Sequence, residues 1–293
     1  MMKNLNCLKG DIDPKNLDRK PFSFSHSLAD HPALSIESLI KMIPEMPKEK
    51  VMFSKGLDSL KINFDNALDT HTKQLDLMEV IETIRTSNAY IAVRNSELHE
   101  SFKVLYKDLI EDIAELLKIN GTGTAPIGPT LWLFIASPNA VTPFHFDRTS
   151  NFIMQIRGSK ELAIFPPRSE EVFSRAITES YMDWEPELPL WTEEVDKHAH
   201  KFHFKTGDAA HIPFTSGHYV KNGSEDISIT LSIFFHSDET LRWSEAMKIN
   251  NRLRKLGISS QAVDRSLAVD SFKSTVFPAV DSVFNVARKL RGN

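Results

Sequence analysis

The spacing of apolar residues changes twice along the chain. Up to about residue 128 they recur mostly at helical intervals, with short extended pieces between. Ser35 stands before Ile36, Leu39, Ile40 and Ile43, which predicts a short helix capped by the serine and ended by Pro44. Asp76 with Glu79 three residues on makes a capping-box start for a second helix carrying Leu77, Val80, Ile81 and Ile84. Phe102, Leu105, Leu109, Ile113 and Leu116 share one face of a longer helix expected from Ser96 to Ile119. Asn120-Gly121 supplies its left-handed stop, and its charged residues read as a solvated face.

From residue 129 to 237 the period becomes two, and glycine and proline punctuate the chain more often. Along Ile227–Phe235 the isoleucines, Leu231 and Phe235 fall on one side, while Ser228, Thr230, Ser232 and Phe234 fall on the other. Further strands are expected at Leu131–Ala136, Phe152–Ile156, Glu161–Phe165, Lys201–Lys205 and Ala209–Ile212. Short antiparallel strands in this number predict a mainly β fold, a double-stranded β-helix or jelly roll, with flanking helices. Helical spacing returns at Leu241, Met247, Ile249, Leu253 and Leu256, and again at Val280, Val283, Phe284, Ala287 and Leu290. The expected organisation is therefore 1–128 as an N-terminal mixed, largely helical region packing on the barrel, 129–237 as the jelly-roll core and 238–293 as a C-terminal helical region.

Composition narrows the class without deciding the activity. With 41% apolar and 25% charged residues, the chain reads as a soluble globular protein with no membrane-spanning run. A net charge of -4, from 35 basic and 39 acidic residues, argues against a nucleic-acid partner. Cys7, the single cysteine, excludes an internal disulfide and reads as an unreactive thiol near a mobile terminus. The first ten residues lack the apolar stretch of a secretory signal, so a cytoplasmic location is expected.

The sharpest chemistry lies in the histidines. His145 and Asp147 stand two apart in VTPFHFDRTSNF, which on an extended strand brings an imidazole and a carboxylate to one face. One more histidine would complete a 2-His-1-carboxylate facial triad for Fe(II). Four competitors are readable as something else: His198, His200 and His203 alternate with lysines as on an exposed edge, and His211 reads as a packed, hydrogen-bonded residue. His218 is favoured, because the break at Pro213 and Gly217 predicts a bend that delivers it to the barrel mouth.

The stretch VTPFHFDRTSNFIMQIRGSKELAIFPP resembles the core of JmjC-domain, cupin-like hydroxylases that use Fe(II) and 2-oxoglutarate. Within that family it looks most like the asparaginyl hydroxylase that inhibits hypoxia-inducible factor. The matching elements are VTP, H-x-D, the NF four residues after the aspartate, QI-x-G-x-K and FPP. GDAAHIPFTSGHYV then resembles the family's G-D-x-x-x-I-P-x-x-x-x-H, whose spacing selects His218 over His211. The resemblance implies that His145, Asp147 and His218 ligate iron, that Lys160 binds the distal carboxylate of 2-oxoglutarate and that Thr142 hydrogen-bonds to it. It further implies that Asn151 and Tyr90 adjoin the cosubstrate. Ser232 stands where the asparaginyl hydroxylase has asparagine.

By resemblance, the cofactors are Fe(II), 2-oxoglutarate and O2, with succinate and CO2 released as a substrate carbon is hydroxylated. The substrate is a protein, a peptide or a small molecule, and hydroxylation is favoured over demethylation because no chromatin-reading module is visible. A cupin-like binding protein, or a cupin metalloenzyme without cosubstrate, are the competing classes; neither needs Lys160 with Thr142. Trp184 and Trp191, in a Pro- and acid-rich insert, either line the mouth or pack the insert on the barrel.

The apolar stripes after Asp238, together with the resemblance, also lead to the expectation of a homodimer through the C-terminal helices. Removing residues beyond Gly257 should then halve the mass measured by light scattering, beyond the loss of the segment itself; an unchanged oligomeric mass would reject this interface.

Overall fold

In the computed structural model, which describes residues 5–55, 59–61, 77–185 and 191–290, two antiparallel sheets face each other. The strands are β1 (Leu8–Lys9), β2 (Phe22–His26), β3 (Val51–Lys55), β4 (Ala89–Val93), β5 (Ile127–Ala136), β6 (Val141–Phe146), β7 (Ser150–Arg157), β8 (Lys160–Ile164), β9 (His200–Phe204), β10 (Asp208–Ile212), β11 (Gly217–Asn222) and β12 (Ser228–His236). The larger sheet runs β1-β2-β10-β7-β12-β5-β4-β3 and the smaller β6-β11-β8-β9. This is the expected jelly roll. Four strands of the larger sheet come from before residue 129: β2 pairs with β10 and β4 with β5, so the first third of the chain extends the sheet on both sides as well as covering it.

The alternation along β12 explains how one sheet serves two environments. Ile229, Leu231, Ile233 and Phe235 point to a buried outer layer, joined by Leu131 and Leu133 of β5 and by Phe152 and Met154 of β7. Helix α1 (Ile36–Glu45), helix α2 (Leu77–Thr83) and helix α3 (Lys103–Asn120) lie along the N-terminal part of the chain. Leu105, Leu109, Ile113, Leu116 and Leu117 of α3 are fully buried in this same layer. At about 1.5–3 kcal/mol per buried side chain, it is the fold's main source of stability. The opposite face of the sheet, with Ser228, Thr230, Ser232 and Phe234, looks toward the smaller sheet and carries the site.

Several local expectations are refined. Ser35 caps α1 as predicted by accepting from the Ser38 N–H, and the helix takes Pro44 into its last turn before ending at Glu45. The start at Asp76 lies outside the described residues. The segment from Ser96 forms two 3-10 turns, and α3 begins only at Lys103, because Asn95 is left-handed (φ 55°) and His99 is extended. Gly121 then closes α3 in the left-handed conformation.

One member of its expected solvated face is structural. Asp112 is buried, and its carboxylate accepts the N–H groups of Asn6, Cys7 and Leu8 at 2.6, 2.7 and 3.0 Å, fastening β1 to the helix. Cys7 is therefore buried rather than set on a loose end, and burial pushes its thiol up to about 12. Between β8 and β9 the insert forms helix α4 (Arg175–Met182) and the short α5 (Glu193–Asp196), and after β12 helices α6 (Asp238–Lys255) and α7 (Leu267–Leu290) complete the shell. No helix among the described residues is long and apolar enough to cross a membrane.

The turn from β7 into β8 is tightly packed against backbone. Gly158 sits at φ 76°, and a Cβ there would lie 2.4 Å from the Ile227 carbonyl oxygen. Gly158→Ala should therefore destabilise the fold by about 2 kcal/mol or more in urea unfolding, since the strain and the backbone clash add; a change below about 0.5 kcal/mol would mean that the turn relaxes freely.

Candidate active site

The three predicted ligands meet because of one irregularity in the smaller sheet. His218 of β11 lies directly across from His145 of β6, and Gly217 across from Phe146, but the next partner of Val220 is Thr142. Pro143 and Phe144 thus stand opposite Tyr219 alone, a β-bulge. In a regular strand Thr142 and His145, three apart, would face opposite sides; the extra residue turns both inward. Proline suits the bulge because it has no N–H to leave unpaired. Gly217 is required beside it, since a Cβ would approach the rings of Phe173 and Phe144 to 2.7 and 2.9 Å.

Two expectations are corrected in detail. His218 occupies a central strand instead of a bend, and Asp147 lies just past the end of β6 instead of within it. The outcome for the ligands is unaffected. Donor atoms of His145, Asp147 and His218 lie within 4.8 Å of one another. His145 Nε2 is 3.9 Å from Asp147 Oδ1, His218 Nε2 is 3.6 Å from Oδ2, and the imidazole centroids are 4.2 Å apart.

Both imidazoles are oriented from behind. His145 Nδ1 is 2.8 Å from the Pro143 carbonyl oxygen and His218 Nδ1 is 3.1 Å from that of Ser216. A carbonyl only accepts, so each Nδ1 carries the proton and each Nε2 presents its lone pair to the centre of the cluster. Burial pushes His218 down to about 4, which keeps it in the neutral, ligating form.

All eight residues singled out from the sequence line one cavity between the sheets: Tyr90, Thr142, His145, Asp147, Asn151, Lys160, His218 and Ser232. Lys160 enters from β8 at its inner end. It is only 7% exposed, its Nζ donates to Thr230 Oγ1 at 2.5 Å, and it pairs with no carboxylate among the described residues. Burial lowers its ammonium from 10.5 to about 7. Thr230 Oγ1 in turn donates to Gln155 Oε1 at 3.2 Å, and Gln155 Nε2 donates to Ser228 Oγ at 3.0 Å. Tyr90 is hydrogen-bonded to Thr142, and burial raises its phenol well above the usual range.

Asn151 Oδ1, Asn222 Oδ1 and Ser232 Oγ, all of residues that line this cavity, are buried without a hydrogen-bond partner among the described residues. A buried cation with no carboxylate partner among the described residues, and unsatisfied polar atoms in the same cavity, fit a small dicarboxylate. Two neutral imidazoles and a carboxylate fit a divalent metal such as Fe(II), with coordination positions to spare.

The competing histidines are accounted for. His200 and His203 are exposed on edge strand β9, and His198 lies 3.2 Å from Glu171. His211 points into the outer layer, where its Nε2 accepts the Asp18 N–H at 3.0 Å and its ring packs on Phe22 and Phe152. Neither Trp184 nor Trp191 lines the cavity. Trp184 is 72% exposed and covers the Arg148 guanidinium at 4.2 Å, while Trp191 Nε1 donates to Asp196 Oδ1 at 3.1 Å. Sequence reasoning missed Trp132, Phe134, Asn222, Thr230 and Phe234 as cavity residues. For Thr230 and Phe234 the signal was present in the alternation along β12.

Titrating the purified protein with Mn(II) in a calorimeter tests the metal centre. His218→Ala should weaken binding by about 100-fold or more, whereas His203→Ala on the edge strand should leave it unchanged. Equal losses, or none at His218, would contradict this ligand set.

A sequence profile of the cupin-like domain family matches residues 46–240, more than half of the chain. The JmjC domain-containing protein F of Dictyostelium discoideum is 31% identical over 120 residues, covering 35% of this chain and 24% of that protein. Among solved structures, YcfD of Escherichia coli, described as a ribosomal oxygenase, aligns over 89% of this chain and 61% of its own at 13% identity, with a TM-score of 0.50. Another structure of YcfD, holding cobalt and 2-oxoglutarate, aligns over 88% and 61% at 13% identity, with a TM-score of 0.49. The chain spans less than two thirds of the length of each of these proteins. The profile match over more than half of the chain, with the two-sheet β fold, places the chain in the cupin-like domain family.

Proposed function

We propose that the chain is an Fe(II)- and 2-oxoglutarate-dependent oxygenase that hydroxylates a carbon of a protein, peptide or small-molecule substrate. The observation that carries this reading is Lys160, a buried ammonium with no carboxylate partner among the described residues, opening on the same cavity as His145, Asp147 and His218. A cosubstrate-free cupin enzyme has no use for a cation in that place, and a pure binding protein has no use for the triad. The motif likeness to an asparaginyl hydroxylase favours hydroxylation over demethylation.

In this reading His145, Asp147 and His218 hold the iron, and their backbone-locked tautomers keep the donor atoms aimed before metal arrives. Lys160 takes the distal carboxylate, with Thr142 and Tyr90 as hydroxyl partners beside it and Thr230 holding the ammonium in place. Asn151, Asn222 and Ser232 offer polar atoms to the remaining oxygens. Ferrous iron and 2-oxoglutarate, bound together with O2, supply the oxidation: one oxygen atom enters a substrate C–H bond and the other enters succinate as CO2 leaves. The apolar walls, Ile153, Ile212 and Val220, exclude water from the cavity.

Anaerobic addition of Fe(II) and 2-oxoglutarate should produce a weak visible charge-transfer band, absent in His145→Ala and shifted to much higher 2-oxoglutarate concentration in Lys160→Ala. Lys160 also sets a pH dependence. Free, its ammonium titrates at about 7, and a bound carboxylate raises that value, so binding takes up a proton above pH 7 and none well below it. Affinity should fall with rising pH above 7, by up to about tenfold per unit, with proton uptake seen calorimetrically in buffers of different ionisation heat. No band in a protein that binds iron, or an unchanged response in Lys160→Ala, would overturn the reading.

A further inference from the structure

The open end of the cavity is built differently from its inner end. Trp132 of β5 and Phe234 of β12 line the cavity from the larger sheet, Phe134 lies one step further in, across from Thr230, and all three remain half-buried. Their rings contact one another without filling the space before them: Trp132 and Phe234 stand 5.1 Å apart at 58°, and Trp132 and Phe134 6.0 Å apart at 45°. Phe134 continues to Tyr90 at 5.9 Å. Three large apolar side chains on the cavity-facing side of adjacent strands, where the rest of β12 carries Ser228, Thr230 and Ser232, are costly to leave wet, and a ligand that covers them recovers that cost.

Charge decides what kind of group fits. Among the described residues lining the cavity, Asp147 is the single carboxylate, and it belongs to the metal cluster. With iron and cosubstrate bound, the charges of 2-oxoglutarate and Asp147 balance those of the ferrous ion and Lys160. The Arg94 guanidinium lies 4.9 Å from the Trp132 ring. Aromatic faces alone attract cations, but Trp132 already has the Arg94 guanidinium against it, and among the described lining residues no carboxylate outside the His145–Asp147–His218 cluster offers a counter-charge to a second cation.

We propose that Trp132, Phe134 and Phe234 form the substrate-recognition shelf, and that the group presented to the metal is carried on a neutral, planar or apolar moiety instead of a cationic one such as a methylated lysine or an arginine. The inference rests on the oxygenase reading above and narrows its substrate class. It accounts for aromatic residues that line the same cavity as His145, Asp147 and His218.

The test uses the full chain loaded with Mn(II) and 2-oxoglutarate, and paramagnetic relaxation of two probes: N-acetyl-phenylalaninamide and N-acetyl-trimethyllysinamide. The aromatic protons of the first should relax about fivefold faster than the methyl protons of the second. Phe234→Ala should reduce the first effect by a similar factor, and Phe234→Glu, which supplies the missing carboxylate, should transfer the advantage to the cationic probe. Equal or stronger relaxation of the cationic probe by the unaltered protein overturns the shelf proposal, whatever the variants do. If the chain binds Mn(II) but calorimetry shows no 2-oxoglutarate binding, the oxygenase reading fails first and the shelf assignment falls with it.

Discussion

The site depends on one cross-strand pair, His145 opposite His218, and on the bulge that follows it. Sheet geometry allows side chains two apart to share a face, and this gives the smaller sheet only a limited choice of inward residues. By placing Pro143 and Phe144 against the single Tyr219, the bulge admits Thr142 to the interior together with His145. The carbonyl of Pro143 then orients His145, and that of Ser216 orients His218. Removing the extra residue would leave the two inward positions out of phase, and the triad and the Thr142 hydroxyl could not serve one cavity.

That arrangement is carried by the other face of the larger sheet. Leu, Ile and Phe side chains of β5, β7 and β12, sealed by α3, supply the burial that offsets an ammonium held between the sheets with no carboxylate partner among the described residues. Lys160 is accordingly both a destabilising element and the most informative one. Its lowered proton affinity and the leftover polar atoms of Asn151, Asn222 and Ser232 fit the same reading, a cavity suited to a charged partner that the described residues do not supply.

Much of this was legible in the sequence. The period-two run of Ile227–Phe235 showed both faces of β12, and all eight site residues chosen from motifs line the cavity. What escaped depended on long-range pairing. The N-terminal strands β1 to β4 are short and sit among helical patterns, so their sheet membership comes from partners far along the chain. The bulge exists only in the register between β6 and β11, and without it His218 read as part of a bend. Asp112 looked like one more charged helix residue because its three partners are backbone N–H groups more than 100 residues away. Trp132 and Phe134 were taken as ordinary strand residues, since nothing local says which face of β5 meets the metal.

Turnover without added substrate tests the central claim most directly. With Fe(II) and air, the protein should release labelled CO2 from 2-oxoglutarate carrying carbon-14 at the carboxyl next to its keto group, with one succinate per CO2. His145→Ala should abolish the release, and Lys160→Ala should require far more 2-oxoglutarate to sustain it. Folded, iron-loaded protein that releases no label, or a His145→Ala variant that releases as much as the unaltered chain, would contradict the account.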